Sequence, residues 1–364
     1  MAHQQGRLPV TVVTGFLGAG KTTLLRHLLL HSGQRLAVLV NEFGEVGIDG
    51  ALLRSCGFCP DEEVNDRLVE LANGCLCCTV QDDFLPTMER LLERADNLDG
   101  IVVETSGLAL PEPLIDALQW PQIRTRIRLN GVVAVVDGEA LAAGSVVGDP
   151  TALEAQRLAD PSLDHATALD ELFAEQLEAA DLVLVSRADC LPDEALAAVE
   201  RRLIPQMRPG AVVVPMGRGR VEPELVLGLG RRTLHHSESG PDHGHEHEHD
   251  HEHDHSHVAM EAVALRLGGE FGRPELEQRL HQLLRHPGLI RVKGRLWMAG
   301  KARPLQIQAV GPRLECWFEQ GAQAASANTA QEPPGLELVL LGFQLDRAAI
   351  QTALEQAMAG QPVG

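Results

Sequence analysis

No stretch of the 364 residues approaches the ~18 apolar residues of a membrane-spanning helix. Met1-Ala2-His3-Gln4-Gln5 carries neither the charged nor the apolar region of a secretory leader, so a cytoplasmic protein is expected. Positive charge is scarce: 31 Lys plus Arg stand against 51 Asp plus Glu, a formal net charge of −20. That balance disfavours nucleic acid and anionic membrane as partners and suits a metal cation. A disulfide framework is lacking too, because the seven cysteines are odd in number and three of them fall within four positions, Cys75 to Cys78. In a reducing compartment they stay thiols and become candidate metal ligands. With 44% hydrophobic residues the chain can fill packed cores. At this length one core stops growing, so two domains are expected.

What is present is organised around Gly15-Phe16-Leu17-Gly18-Ala19-Gly20-Lys21-Thr22. The apolar run Leu8 to Val13 before it reads as a buried strand, and Thr22 to His31 after it as a helix. GxxxxGK[ST] in that strand-loop-helix setting is a phosphate-binding loop. Gly15, Gly18, Ala19 and Gly20 let the backbone turn its N–H groups around phosphate oxygens, and Thr23 continues the cradle into the helix N-terminus. Lys21 reaches the β and γ phosphates, and Thr22 places its hydroxyl on Mg²⁺.

The remaining pattern follows in order. A second strand, Leu36 to Val40, leads into Asn41-Glu42-Phe43-Gly44-Glu45-Val46-Gly47-Ile48-Asp49-Gly50, an acidic, glycine-rich loop suited to sensing phosphate or metal. Glu42 and Asp49 are the candidates for orienting the attacking water. Cys56 and Cys59 make a lone CxxC, half a metal site at most. Cys75, Cys77 and Cys78 precede a helical stretch, Asp82 to Arg94, whose N-terminal partial charge favours thiolates. Three thiolates leave a fourth tetrahedral position for water or a carboxylate such as Glu42. The strand Gly100 to Val103 runs into Glu104-Thr105-Ser106-Gly107, where Glu104 is placed to hold Mg²⁺ and Gly107 to give its N–H to the γ phosphate. Further strands, Gly131 to Val136, Asp181 to Val185 and Val212 to Pro215, alternate with helical segments, which predicts an α/β domain with a mostly parallel sheet over residues 1–228.

Between residues 229 and 257 the composition changes. His243, His245, His247, His249, His251, His253, His255 and His257 alternate mainly with Glu and Asp, without an apolar residue, as a disordered linker that collects divalent ions. Residues 258–364 then predict a smaller α+β domain: strands Val258 to Leu267, Leu289 to Met298, Leu305 to Val310, Leu314 to Phe318 and Leu336 to Leu341, with helices Arg273 to His286 and Asp346 to Met358.

In this order the motifs resemble the CobW family of metal-handling P-loop GTPases, over nearly the whole length. Asn41-Glu42-Phe43-Gly44, Glu70-Leu71-Ala72-Asn73-Gly74-Cys75-Leu76-Cys77-Cys78-Thr79, Glu104-Thr105-Ser106-Gly107-Leu108-Ala109-Leu110-Pro111, Asp137 and Leu289-Ile290-Arg291-Val292-Lys293-Gly294 carry the resemblance. It implies GTP hydrolysis with Mg²⁺, coupled to delivery of a divalent metal from Cys75, Cys77 and Cys78 to a recipient metalloenzyme. Within the family the likeness is to the aerobic cobalamin branch, which implies Co²⁺ for the cobaltochelatase; a sister reading assigns Zn²⁺ to the same thiols. One departure stands out. Guanine-specific relatives carry Asn-Lys-x-Asp where this chain has Ser186-Arg187-Ala188-Asp189. Asp189 keeps the carboxylate for the guanine N1 and amine, Arg187 can lie over the base, and Ser186 is too short for the Asn contacts, a loss of about 1 to 3 kcal/mol. A histidine-rich metal buffer with a decayed nucleotide pocket, or a small-molecule kinase, would share parts of the pattern; only the GTPase reading uses all of it.

Overall fold

The computed structural model describes residues 6–40, 68–70, 84–159, 169–228, 260–286, 288–318 and 333–358. The first part of the chain runs β1 (Leu8–Thr14), α1 (Lys21–His31), β2 (Leu36–Val40), β3 (Leu68–Glu70), α2 (Leu85–Glu93), β4 (Gly100–Glu104), α3 (Glu112–Ala117) and β5 (Ile127–Asp137). It continues through α4 (Gly138–Ala142), α5 (Pro150–Ala159), α6 (Leu169–Ala179), β6 (Leu182–Ser186), α7 (Asp193–Leu203), β7 (Val212–Met216) and α8 (Pro223–Leu227). The strands form one seven-stranded sheet in the order β3-β2-β4-β1-β5-β6-β7, and every pairing is parallel. β4 and β6 are buried along their whole length, as a strand covered by helices on both faces must be. Leu24, Leu25 and Leu28 of α1 pack on one face, and Met88, Leu91 and Leu92 of α2 on the other. In such a sheet the loops at the carboxyl ends of the strands converge, and the P-loop follows β1 there.

Two features differ from the expected elements. β3, paired with Val38 to Val40 of β2, has only three residues, too few for a period to register. β5 begins at Ile127 rather than Gly131, because Asn130 and Gly131 interrupt the apolar run while a register shift opposite Val10 and Thr11 absorbs them.

The second sheet is antiparallel, β11-β10-β9-β12-β8, from β8 (Glu261–Gly268), β9 (Leu289–Trp297), β10 (Leu305–Val310), β11 (Arg313–Phe318) and β12 (Gly335–Gly342). α9 (Arg273–Leu283) and α10 (Arg347–Glu355) cover it through Leu276, Leu280, Ile350 and Leu354. This is the α+β arrangement expected from the pattern.

The two sheets share packing. Ile290 and Leu341 of the second join the cluster that holds Leu24, Leu28 and Leu225 to Leu227 of the first. Beside them Arg291 is buried and donates to the carbonyls of Leu225 and Val226, the latter at 2.5 Å. Burial pushes its guanidinium down to about 9, so it stays charged at neutral pH and its acceptors must offset the lost hydration. Asn130 donates to Thr11 Oγ1 at 2.8 Å and accepts from Gln308. Buried Asp181 accepts from Arg208 at 2.9 Å and from Arg313 of the second sheet at 2.7 Å.

Candidate functional site

The P-loop leaves β1 at Thr14 and turns at Gly15, whose φ is 133°. A side chain there would fall on the Val135 carbonyl oxygen, so only glycine fits. Gly20, at φ 104°, precedes α1, and no side chain caps that helix start. The amides of its first turn therefore face the loop without a side-chain acceptor, the arrangement that binds anions. Lys21 is 7% exposed; its Nζ donates to the carbonyls of Gly15 at 2.8 Å and Phe16 at 3.2 Å and lies 3.8 Å from Glu104 Oε1. Thr22 and Thr23 are exposed at the mouth of the loop.

Glu104 ends the neighbouring strand β4, whose residues Ile101 to Glu104 pair with Val10 to Val13. The Thr105 hydroxyl donates to Thr14 Oγ1 at 3.0 Å and ties the two strand ends together. Two residues on, Gly107 sits against the P-loop: a Cβ there would lie 2.6 Å from the Leu17 amide nitrogen. Gln176 of α6, buried, donates to the carbonyls of Gly107 at 3.2 Å and Ala109 at 3.3 Å and braces this turn from behind. Nothing in the sequence pattern singles out Gln176, since a glutamine in an amphipathic helix reads as surface.

On the other side, β6 delivers Ser186, Arg187 and Asp189. Ser186 Oγ is buried with no hydrogen-bond partner, and its Cβ lies 3.4 Å from where a Cβ on Gly20 would stand. Arg187, in the left-handed region at φ 54°, donates from Nη2 to the Gly18 carbonyl at 3.2 Å and pairs through Nη1 with Asp137. Asp189 accepts the Arg218 amide at 3.1 Å and lies 3.5 Å from the Arg218 guanidinium. The structure thus gathers Gly15, Gly18, Ala19, Gly20, Lys21, Thr22, Thr23, Glu104, Gly107, Ser186, Arg187 and Asp189 at the carboxyl ends of β1, β4 and β6.

Residues 9–215 match the CobW/HypB/UreG nucleotide-binding domain family and residues 260–358 the cobW C-terminal domain family. The chain belongs to the CobW family of P-loop GTPases. A zinc chaperone CobW of Pseudomonas aeruginosa is 44% identical, over 97% of this chain and 92% of its own. A zinc chaperone CobW of Sinorhizobium sp is 40% identical, over 96% and 97%. Among solved structures, Zn(II)-bound YjiA GTPase from E. coli is 22% identical over 97% of this chain and 99% of its own, with a TM-score of 0.40.

The remaining expected residues lie outside the described residues: Glu42, Asp49, Cys56, Cys59, Cys75, Cys77, Cys78 and the histidines from His243 to His257. The helix expected from Asp82 is described over Leu85–Glu93, so how the cysteines sit against its start falls outside too. Among the described residues no group of three or more His, Cys, Asp or Glu side chains is placed to hold a metal. Nor is any helix among them long and apolar enough to cross a membrane.

Proposed function

We propose that the protein is a GTP-hydrolysing metallochaperone that carries a divalent metal on Cys75, Cys77 and Cys78 to a recipient metalloenzyme in the cytoplasm. The observation that supports the nucleotide half is the meeting of the Lys21 ammonium, the Glu104 carboxylate, the Gly107 cradle and the Arg187–Asp189 loop at one end of the sheet. In this reading the parts are as follows. Backbone amides from Gly18 to Thr23 bind the phosphates, and Lys21 neutralises charge that grows on their oxygens during transfer. Gly107, pressed against Leu17, brings its backbone next to that cradle. Arg187 and Asp189 recognise the base, and Glu42 and Asp49 orient the water. Thr22 and Glu104 suit Mg²⁺, a hard cation that takes oxygen ligands and keeps waters; bound there it would neutralise β and γ oxygens.

For the cargo, relatives that match almost the full chain are named zinc chaperones, so we assign Zn²⁺. Co²⁺ for the cobaltochelatase rests on the resemblance alone. The boundaries at residues 1–228, 229–257 and 258–364 belong to the same proposal: a nucleotide domain, a collecting tract and a C-terminal domain. The test is GTP turnover with and without Zn²⁺, in the native chain and with all three cysteines changed to serine. The reading expects turnover in both proteins and a Zn²⁺ effect only in the native chain. Absence of turnover in the native chain would return the protein to a metal buffer, and a Zn²⁺ effect that survives in the serine variant would remove the thiols from the mechanism.

A further inference from the structure

Asp137 ends β5 between the P-loop and the base loop, and it is 2% exposed. Its two oxygens have different partners. Oδ1 accepts the Ala140 amide at 3.2 Å and caps α4. Oδ2 faces the Arg187 guanidinium, and the chain at Gly148 passes so near that a Cβ there would lie 2.6 Å from it. Arg187 is otherwise an open side chain, 43% exposed, with Glu139 at 3.7 Å and the Gly18 carbonyl at 3.2 Å. The neighbouring Ser186 hydroxyl, buried and without a hydrogen-bond partner, makes no cross-link to the P-loop. Among the described residues, a direct hydrogen bond from the Ser186–Asp189 loop to the phosphate loop runs through Arg187.

We propose that Asp137 is the positioning residue of the nucleotide site: its carboxylate holds Arg187 on the Gly18 carbonyl, so that the alkyl stem forms a wall for the base and the loop pair is locked despite the short Ser186. This deepens the GTP reading and rests on it. A long, half-exposed arginine left unheld samples many rotamers, and ordering it would then be charged to nucleotide binding. Held by a buried carboxylate, it is preorganised.

The two oxygens allow a clean separation. Asp137→Asn keeps an acceptor for the Ala140 amide, since asparagine caps helices as well as aspartate does, but it removes the buried charge that faces Arg187 and leaves only the exposed Glu139 carboxylate at 3.7 Å. The variant should keep its melting temperature and raise the Kd for GDP and the KM for GTP by about 5- to 20-fold, at the low end of a charge-assisted contact because Arg187 is partly solvated. kcat should change by less than about twofold, since the pair touches no reacting atom. Arg187→Gln should give the same loss in affinity, together with a lower melting temperature because it leaves the buried Asp137 carboxylate without its cation. In an Arg187→Gln background, adding Asp137→Asn should add almost nothing. An unchanged Kd in Asp137→Asn, or an equal loss in both backgrounds, would overturn the inference while the GTP reading stands. Failure of the native chain to bind GDP would overturn both. Should Asp137→Asn fail to fold, Arg187→Gln decides alone: native affinity in that variant overturns the inference.

Discussion

Lys21 carries two loads. Its ammonium is available to phosphate charge, yet it also satisfies the Gly15 and Phe16 carbonyls and stands by Glu104 in a nearly buried setting. Lys21→Ala should therefore lower GTP turnover by about 10²- to 10³-fold and also cost about 1 kcal/mol of stability, read by urea denaturation. Near-normal turnover would remove the nucleotide mechanism. The cysteines separate at the same scale. Burial pushes the Cys316 thiol up to about 12, with Glu277 adding to the shift, whereas Cys190 is exposed beside Asp189. At pH 8 an alkylating reagent should label exposed Cys190 well before half-buried Cys316 in the folded protein, as peptide mass spectrometry would record; equal labelling of the two would contradict the raised thiol of Cys316. The residues of the P-loop were legible in the sequence because glycine, lysine and threonine at fixed spacing have one chemical use in common. Gln176 and the pairing of Asp137 with Arg187 were not, because each depends on chain segments 50 or more residues apart meeting in space.

At the scale of elements, the segment from Gly217 to Gly228 links the base loop to the second sheet. Gly217 lies against Asp189, Gly219 against Thr23, and the Val221 carbonyl pairs with His27 at 2.8 Å. Leu225 and Val226 then offer their carbonyls to Arg291. Arg291→Ala removes a donor from two buried carbonyls and opens a cavity, so it should cost about 3 kcal/mol in denaturant unfolding. Arg291→Met keeps the volume and should cost less; equal losses would show that packing is not part of the role. Strands with continuous apolar runs, such as Gly100–Glu104 and Leu182–Ser186, were readable from sequence alone. The short Leu68–Glu70 was not, and the length of Ile127–Asp137 was hidden by the two residues, Asn130 and Gly131, that serve the junction between sheets.

For the whole molecule, the central claim is that one chain couples a nucleotide site to a metal site. Changing the eight histidines of His243 to His257 to glutamine in the full chain should lower metal stoichiometry yet spare one tight site, because the proposal puts the cargo on the three thiols and gives the imidazoles only weaker collection of divalent ions. Loss of the tightest site instead would place the cargo on the tract. β2 ends at Val40, paired with Glu104 at the phosphate end; in sequence the acidic segment 41–49 follows it directly, and Cys75, Cys77 and Cys78 follow β3. If bound GTP orders the loop and brings Glu42 to the thiolates, the nucleotide completes a four-ligand site and hydrolysis removes one ligand. The most direct measurement is a titration of Zn²⁺ and Co²⁺ into protein loaded with GDP or with a non-hydrolysable GTP analogue, with the triple cysteine-to-serine variant as control. The account predicts tighter binding in the GTP state by about 5- to 150-fold, and an equal tightening of the GTP analogue by metal. Equal affinities in the two nucleotide states would contradict it, even with metal binding and hydrolysis each present.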